Sequence, residues 1–287
     1  YEIKKASNKP VTDTRTMTGQ LATGLDDPGL PIRAFAAPLA IGPRGTTRTA
    51  ITVELAYPLP PAEARGLKYE IRFGALALSP DAKIKGSLQR PSTYTGTFST
   101  RATGRMLISD AMNLEPGTYT LRIGLTSKTL GKTGTTRVRL VVPDFTKKEL
   151  TMSPVVIGGP VTGIDAATGL DYLRGLVPFQ PVLTRDFSAT DTVRVYARAE
   201  WKSSGEAAAL GLRLTDMNGA VIKTQPIASL PGTKRLDGHR DVTVDATFAL
   251  DGVPPGHYVL VAELTVDGWG TTSDKGRALR AVPLTVR

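Results

Sequence analysis

The sequence predicts an all-β protein made of two tandem sandwich domains. Three observations carry that prediction. A Pro-Gly phrase occurs twice, side chains alternate with a period of two after each copy, and the two copies sit in surroundings that repeat at a nearly constant spacing. The first copy is Leu114-Glu115-Pro116-Gly117-Thr118-Tyr119-Thr120-Leu121-Arg122-Ile123, and the second is Val253-Pro254-Pro255-Gly256-His257-Tyr258-Val259-Leu260-Val261-Ala262. Pro presets φ for a turn and Gly tolerates backbone that other residues avoid. After each turn, Tyr119, Leu121, Ile123 and Leu125 share one face, as do Tyr258, Leu260, Ala262, Leu264 and Val266. That is the pattern of a half-buried strand.

A tyrosine at a turn-to-strand corner can bury its ring and bond its hydroxyl to nearby backbone, as at the tyrosine corner of immunoglobulin-like sandwiches. Tyr119 and Tyr258 are therefore expected as structural corners, and the fold class as two immunoglobulin/fibronectin-III-like β-sandwiches. The two tyrosines are 139 residues apart. Ile71-Arg72-Phe73 matches Leu210-Gly211-Leu212 at the same offset, Ala82-Lys83-Ile84-Lys85 matches Ala220-Val221-Ile222-Lys223, and Val142-Pro143 matches Val282-Pro283. A repeat of this length suits a domain and is too long for a solenoid unit.

Taken in order, residues 1–30 read as a polar N-terminal arm with a short helical turn near Asp26-Asp27-Pro28-Gly29. Residues 31–146 form the first sandwich. Ile32 to Ala36 opens it, and Ile51, Val53 and Leu55 alternate inward. Leu67 to Leu78 is a longer strand. A Ser79-Pro80-Asp81 turn leads to Lys83-Ile84-Lys85, with strands expected at Tyr94–Ser99, Arg105–Asn113 and Arg137–Val142. Pro143 to Lys148 is a short linker. Residues 147–287 form the second sandwich, with strands at Thr192–Ala197 and Val242–Leu250, a hairpin turning at Asn218-Gly219, and a closing strand at Ala278–Val286. The stretch 158–181 has no counterpart in the first copy. It is expected as a long inserted loop, a kind of segment that often forms interfaces.

Composition limits the chemistry. Gly and Pro, 29 and 21 residues, are spread through the turns as hairpin-rich proteins require. There is no cysteine, so disulfides, zinc–thiolate sites and thiol catalysis are excluded. No apolar run is long enough for a transmembrane helix. The chain begins at Tyr1, which suggests a fragment or a processed product. The net charge of +10 is uneven: residues 1–148 hold 22 Lys/Arg against 11 Asp/Glu, and residues 149–287 hold 14 against 15. The basic first half could meet an anionic polymer, with Lys83, Lys85 and Arg90 as test positions. The alternative is a solvated strand surface whose charges protect edges.

No residue cluster spells a reaction. His239 and His257 read as surface residues, and no spacing supports a metal site. Leu130-Gly131-Lys132-Thr133-Gly134-Thr135 fails as a phosphate loop, because Thr126 stands where the upstream Gly is needed. Asp216-Met217-Asn218-Gly219 lacks the later ligands of an EF-hand. Calcium between the domains on Asp186 and Asp191 stays open. The expectation is no catalytic residue, no cofactor, no resident metal and no specific nucleic acid.

The candidate contact residues are Trp269, at the glycine-rich tip Asp267-Gly268-Trp269-Gly270, Tyr172 and Phe179 in the inserted stretch, and Ile3, Lys4 and Lys5 in the arm. Trp269 could equally fold back over the sheet edge. Trp201 is expected at the rim of the core.

The stretches Leu30-Pro31-Ile32-Arg33-Ala34-Phe35-Ala36-Ala37-Pro38, Leu114 to Tyr119, Val142-Pro143-Asp144-Phe145 and Val253 to Tyr258 resemble the C-terminal β-sandwich region of bacterial (acidobacterial) VWFA-related domain proteins. The A domain and its Asp-x-Ser-x-Ser metal motif are missing here. The resemblance implies an exported bacterial surface protein with no assigned activity. The resulting expectation is a non-enzymatic, extracellular or cell-surface structural protein that assembles with itself or another surface protein. An adhesion module for glycan or anionic polymer is the alternative, and an accessory domain cut from a larger catalytic chain is a third possibility.

Overall fold

The computed structural model of the chain describes residues 21, 27–58, 68–95, 103–147, 149–160, 164, 166–268 and 274–287. Ile3, Lys4, Lys5 and Trp269 lie outside the described residues, as does the arm up to residue 20.

The protein is an all-β sandwich fold. The first seven strands are β1 (Ile32–Ile41), β2 (Thr47–Pro58), β3 (Lys68–Leu78), β4 (Ile84–Thr95), β5 (Thr103–Leu114), β6 (Gly117–Ser127) and β7 (Lys132–Val142). They make two antiparallel sheets, ordered β1-β2-β5 and β4-β3-β6-β7. Their inner faces enclose Ile51, Val53, Phe73, Leu121 and Ile123. The expected strand at Lys83–Lys85 continues without a break into the start of the one expected at Tyr94–Ser99, as one edge strand, β4, which runs through Pro91; residues 96–99 lie outside the described residues. Only an edge position spares that proline a ladder donor.

The remaining strands are β8 (Thr151–Met152), β9 (Val156–Gly158), β10 (Ala166–Thr168), β11 (Asp186–Phe187), β12 (Thr192–Trp201), β13 (Ala207–Asp216), β14 (Val221–Thr224), β15 (Ala228–Pro231), β16 (Thr233–Lys234), β17 (Arg240–Ala249), β18 (Gly256–Val266) and β19 (Arg277–Val286). The earlier strand order recurs. β12 lies between β17 and the short pair β8 and β9, while β14, β13, β18 and β19 follow one another in the facing sheet. A second core forms between them, from Leu150 to Val286.

In each repeated phrase the tyrosine hydroxyl donates to the carbonyl four residues back: Tyr119 to Glu115 and Tyr258 to Pro254, both at 2.8 Å. The sequence alignment of the closing strands does need correction. Gly117 pairs with Val142 and Gly256 with Val286, so Val142 corresponds to Val286 and not to Val282. The connection from β18 to β19 is longer than the tight turn from Ser127 to Lys132, and it takes up the extra residues.

Two single-residue expectations are overturned. Trp201 is fully buried, not at the rim; its indole N–H donates to Gly205 O at 3.0 Å and its ring lies over Gly232, where a Cβ would collide with it. His239 is not a surface residue. It is 8 % exposed, and its Nε2 lies 3.1 Å from Thr146 O in the linker. His257 is exposed, 3.1 Å from the Thr285 hydroxyl.

Candidate functional site: the seam between the sheet pairs

The outer face of sheet β1-β2-β5 is the unusual surface of this molecule. Ile51, Val53 and Leu55 point into the first core, so Ala50, Thr52 and Glu54 must point away from it. Yet all three are buried. Pairing places this outer face in cross-strand rows: Ala37, Ala50 and Ala111 in one, Phe35, Thr52 and Ser109 in the next, then Arg33, Glu54 and Leu107. The first row is flat because alanine is small, so another segment can approach closely.

The inserted stretch 158–181 makes that approach. Read from sequence as a loop, it carries β10 and a 3-10 helix at Leu170–Leu173. β10 adds to the free edge of β5 in parallel, with Ala167 opposite Leu107. Leu173, Leu176 and Val177 then pack with Ala37, Leu39 and Ala50 from one side and Val156 and Tyr196 from the other, forming a third apolar cluster that draws on both halves. Gly169 permits the entry. Its φ is +79°, and a Cβ there would run into the Ser109 carbonyl.

Polar contacts pin the margins. Arg48 donates to Tyr172 O at 2.9 Å. Arg90 Nε donates to Asp110 Oδ2 at 2.9 Å, and its guanidinium carbon lies 4.5 Å from the Tyr172 ring centre. The Asp110 side chain is 1 % exposed and also accepts from Ala111 N–H. That carboxylate holds the Arg90 pKa above its ordinary value. The Thr52 and Ser109 hydroxyls satisfy each other at 3.2 Å. Phe179 meets Tyr196 edge-on at 6.0 Å and lies under Arg194, which is bidentate to Asp245. Of the sequence-predicted contact residues, Tyr172 and Phe179 are thus both engaged within the molecule at the seam, with Tyr172 still 40 % exposed.

The basic positions chosen from sequence are partly committed. Lys83 pairs with Asp81 and Arg90 with Asp110. A basic row lies elsewhere, on the outer face of β3-β6-β7, where Arg122 is opposite Arg137 and Arg139 is opposite Thr120.

Among the described residues two open concavities stand out. A cleft of about 450 Å³ lies beside the seam, between Arg33, Glu54 and Arg105 on one wall and Thr184 and Asp186 on the other. A groove of about 500 Å³ runs over Gly211 beneath Pro226 and Ile227, next to Glu263 and its ion pairs with Arg213 and Arg277. Two buried titratable groups stand out: His239, whose Nδ1 lies 3.4 Å from Asp237 Oδ1, and Glu200, which pairs with Arg235. Burial pushes the Glu200 carboxyl up to about 7, and neighbouring Asp241 and Asp237 reinforce this against Arg235 and Arg198. Neither Glu200 nor His239 lines the cleft or the groove. Among the described residues no group of three or more His, Asp or Glu is placed to hold a metal ion; Asp186 pairs with Arg287, and Asp191 accepts from Ser188 N–H. No described helix is long and apolar enough to cross a membrane.

Sequence reasoning missed the seam residues on β1, although a signal was present. From Ala34 to Ile41 the strand is apolar without alternation, the mark of a strand covered on both faces.

No protein-family model and no curated protein sequence matches the chain. Among solved structures it is similar to Escherichia coli alpha-2-macroglobulin activated by porcine elastase, at 11 % identity over 90 % of this chain and 22 % of that one, with a TM-score of 0.22. It is similar to Bifidobacterium dentium beta-glucuronidase complexed with coumarin-3-O-glucuronide, at 9 % identity over 89 % of this chain and 47 % of that one, with a TM-score of 0.26. A third similarity is to the BSP domain of a biofilm associated protein, at 10 % identity over 94 % of this chain and 54 % of that one, with a TM-score of 0.19. The chain thus spans from 22 % to 54 % of the length of these solved chains.

Proposed function

We propose that this chain is a non-enzymatic structural segment of a secreted or cell-surface bacterial protein, in which two sandwich domains are joined into one stiff unit that assembles with copies of itself. The observation that carries the reading is the seam. A strand of the inserted stretch completes a sheet of the other half, and an apolar cluster shared by both halves covers it. A short linker alone would leave two beads free to bend. A strand addition with a packed core resists bending, as a filament-forming segment requires. The resemblance of the turn phrases to exported bacterial surface proteins supports the location. Residues 1–20 are the segment assigned to contact the next copy.

Light scattering across a wide concentration range, with negative-stain microscopy, tests the proposal. Concentration-dependent oligomers that are lost on deleting residues 1–20 are expected. A stable monomer unaffected by that deletion overturns the assembly reading.

The basic row on β3-β6-β7 favours a second reading, a module that binds an anionic polymer. Arg137 and Arg139 are exposed on β7, and their positive potential would draw such a partner. Binding would then weaken with salt and on Arg139→Glu.

A further inference from the structure

We propose that the cleft beside the seam is a binding site for a small hydroxylated carboxylate, a sugar acid such as a uronate. The inference goes beyond the structural role and is independent of whether the protein assembles.

Charge bookkeeping within the cleft selects the ligand class. Its floor is Glu54, 5 % exposed, whose Oε1 accepts from Arg105 Nε at 3.0 Å and whose Oε2 lies 2.8 Å from Arg105 Nη2. Arg105 thus neutralises the Glu54 carboxylate. On the opposite wall Asp186 is held by Arg287 at 3.1 Å. Arg33 is directly across the strand pair from Glu54, at the mouth of the cleft, and is exposed. Among the described residues it makes no hydrogen bond or ion pair, whereas each of the other charged groups lining the cleft has a partner. The cleft therefore offers one uncommitted guanidinium, which matches one carboxylate in a two-pronged contact.

The same count disfavours other ligands. A free amino acid would set its ammonium charge beside Arg105 and Arg287, which already neutralise the two carboxylates, whereas a neutral hydroxyl meets no such repulsion and can share their lone pairs. A phosphate dianion calls for more than one free cation. The remaining lining is Thr184 with Pro31, Ile32 and Ala56, one hydroxyl beside apolar surface that the C–H groups of a sugar ring can cover. Thr184 Oγ1 already accepts from Asp186 N–H at 3.2 Å, which leaves its proton to donate, and the bonded carboxylates keep lone pairs that can accept. Among the described residues no aromatic side chain lines the cleft, so the contact is not a stacked one. Its volume of about 450 Å³ is in the usual range for small-ligand sites. One wall comes from β1, β2 and β5 and the other from the segment leading into β11, so a bound ligand would bridge both halves and stabilise the seam.

The test is calorimetric titration of the intact chain with galacturonate, using galactose and glutamate as comparisons, together with thermal unfolding in each ligand. Saturable binding of galacturonate at millimolar concentrations is expected, with a raised melting temperature and little binding of either comparison. Arg33→Gln, an exposed change that leaves the core untouched, should weaken it about tenfold or more. Arg139→Glu, on the other sheet, should leave it unchanged. No saturable galacturonate binding overturns the proposal, as does equal binding of galactose or glutamate. So does binding that survives Arg33→Gln in a protein whose circular dichroism matches the parent.

Discussion

The guanidinium of Arg90 sits over the ring of Tyr172, 4.5 Å from its centre, while its Nε holds the buried carboxylate of Asp110. One side chain of the first sheet pair thus caps the open flank of its own sandwich and grips the inserted stretch of the second. Arg90→Ala should destabilise the protein by about 1–3 kcal/mol, because Asp110 would keep only its bond from Ala111 N–H. Tyr172→Leu should cost less. In a double-mutant cycle by urea denaturation the two changes should couple by about 0.5–1 kcal/mol. Strict additivity would mean that the stacking contributes nothing.

Gly169 is the pivot of the strand addition. Gly169→Ala places a methyl group against the Ser109 carbonyl in a backbone region that L-residues avoid. We expect loss of the β10–β5 pairing and of the shared cluster that follows it. Hydrogen exchange should show Ala167 and Leu107 losing protection together, and small-angle scattering should show a longer, more variable particle. A particle of unchanged dimensions would mean that the seam does not depend on this contact.

The two tyrosine corners make the same bond and should behave alike. Tyr119→Phe and Tyr258→Phe each remove one hydroxyl-to-carbonyl bond and keep the ring, at a cost of about 1 kcal/mol. The corners lie in separate cores, so the double variant should lose the sum. Neither change should alter assembly or ligand binding. A variant that keeps its stability and loses either activity would reassign that tyrosine from structure to recognition.

Glu200 makes stability depend on pH in an unusual direction. Its folded-state pKa is pushed up to about 7 from 4.5, so the native protein favours the protonated form. The stabilising contribution is fully present below pH ~4.5 and is lost as pH rises through about 7. Acidic groups paired on the surface work the other way, so the comparison has to be made against Glu200→Gln. Relative to that variant, the parent should lose on the order of 3 kcal/mol between those limits. Equilibrium denaturation at a series of pH values measures it, and parallel curves for the two proteins would show that Glu200 stays ionised beside Arg235.

Much of the fold was legible in the sequence because strands and turns are local. Period-two alternation locates Ile51-Val53-Leu55 and Tyr119-Leu121-Ile123, and Gly219 marks its hairpin because it takes φ +89° beside an Asp216 carboxylate that accepts from Asn218 and Ala220. Errors arose where a distant contact outweighed the local pattern. His239 looked like a surface residue until the linker carbonyl of Thr146 was brought to it. Trp201 looked like rim until the backbone at Gly232 closed over its ring. Val142 was matched to Val282 because both precede proline, whereas hydrogen-bond register aligns it with Val286.

The sequence by itself determined most of the long strands, the corners and the repetition of their surroundings, since turn chemistry and alternation act over a few residues. The tertiary structure alone decided the seam. Alternation says that a strand has two faces, but not what covers the second one. The alanine row on β1, β2 and β5, the carboxylate of Asp110 and the guanidinium of Arg33 took on meaning only when a segment more than fifty residues downstream of β5 in the chain was laid beside them. Burial and charge pairing depend on distance in space, and distance along the chain does not encode them.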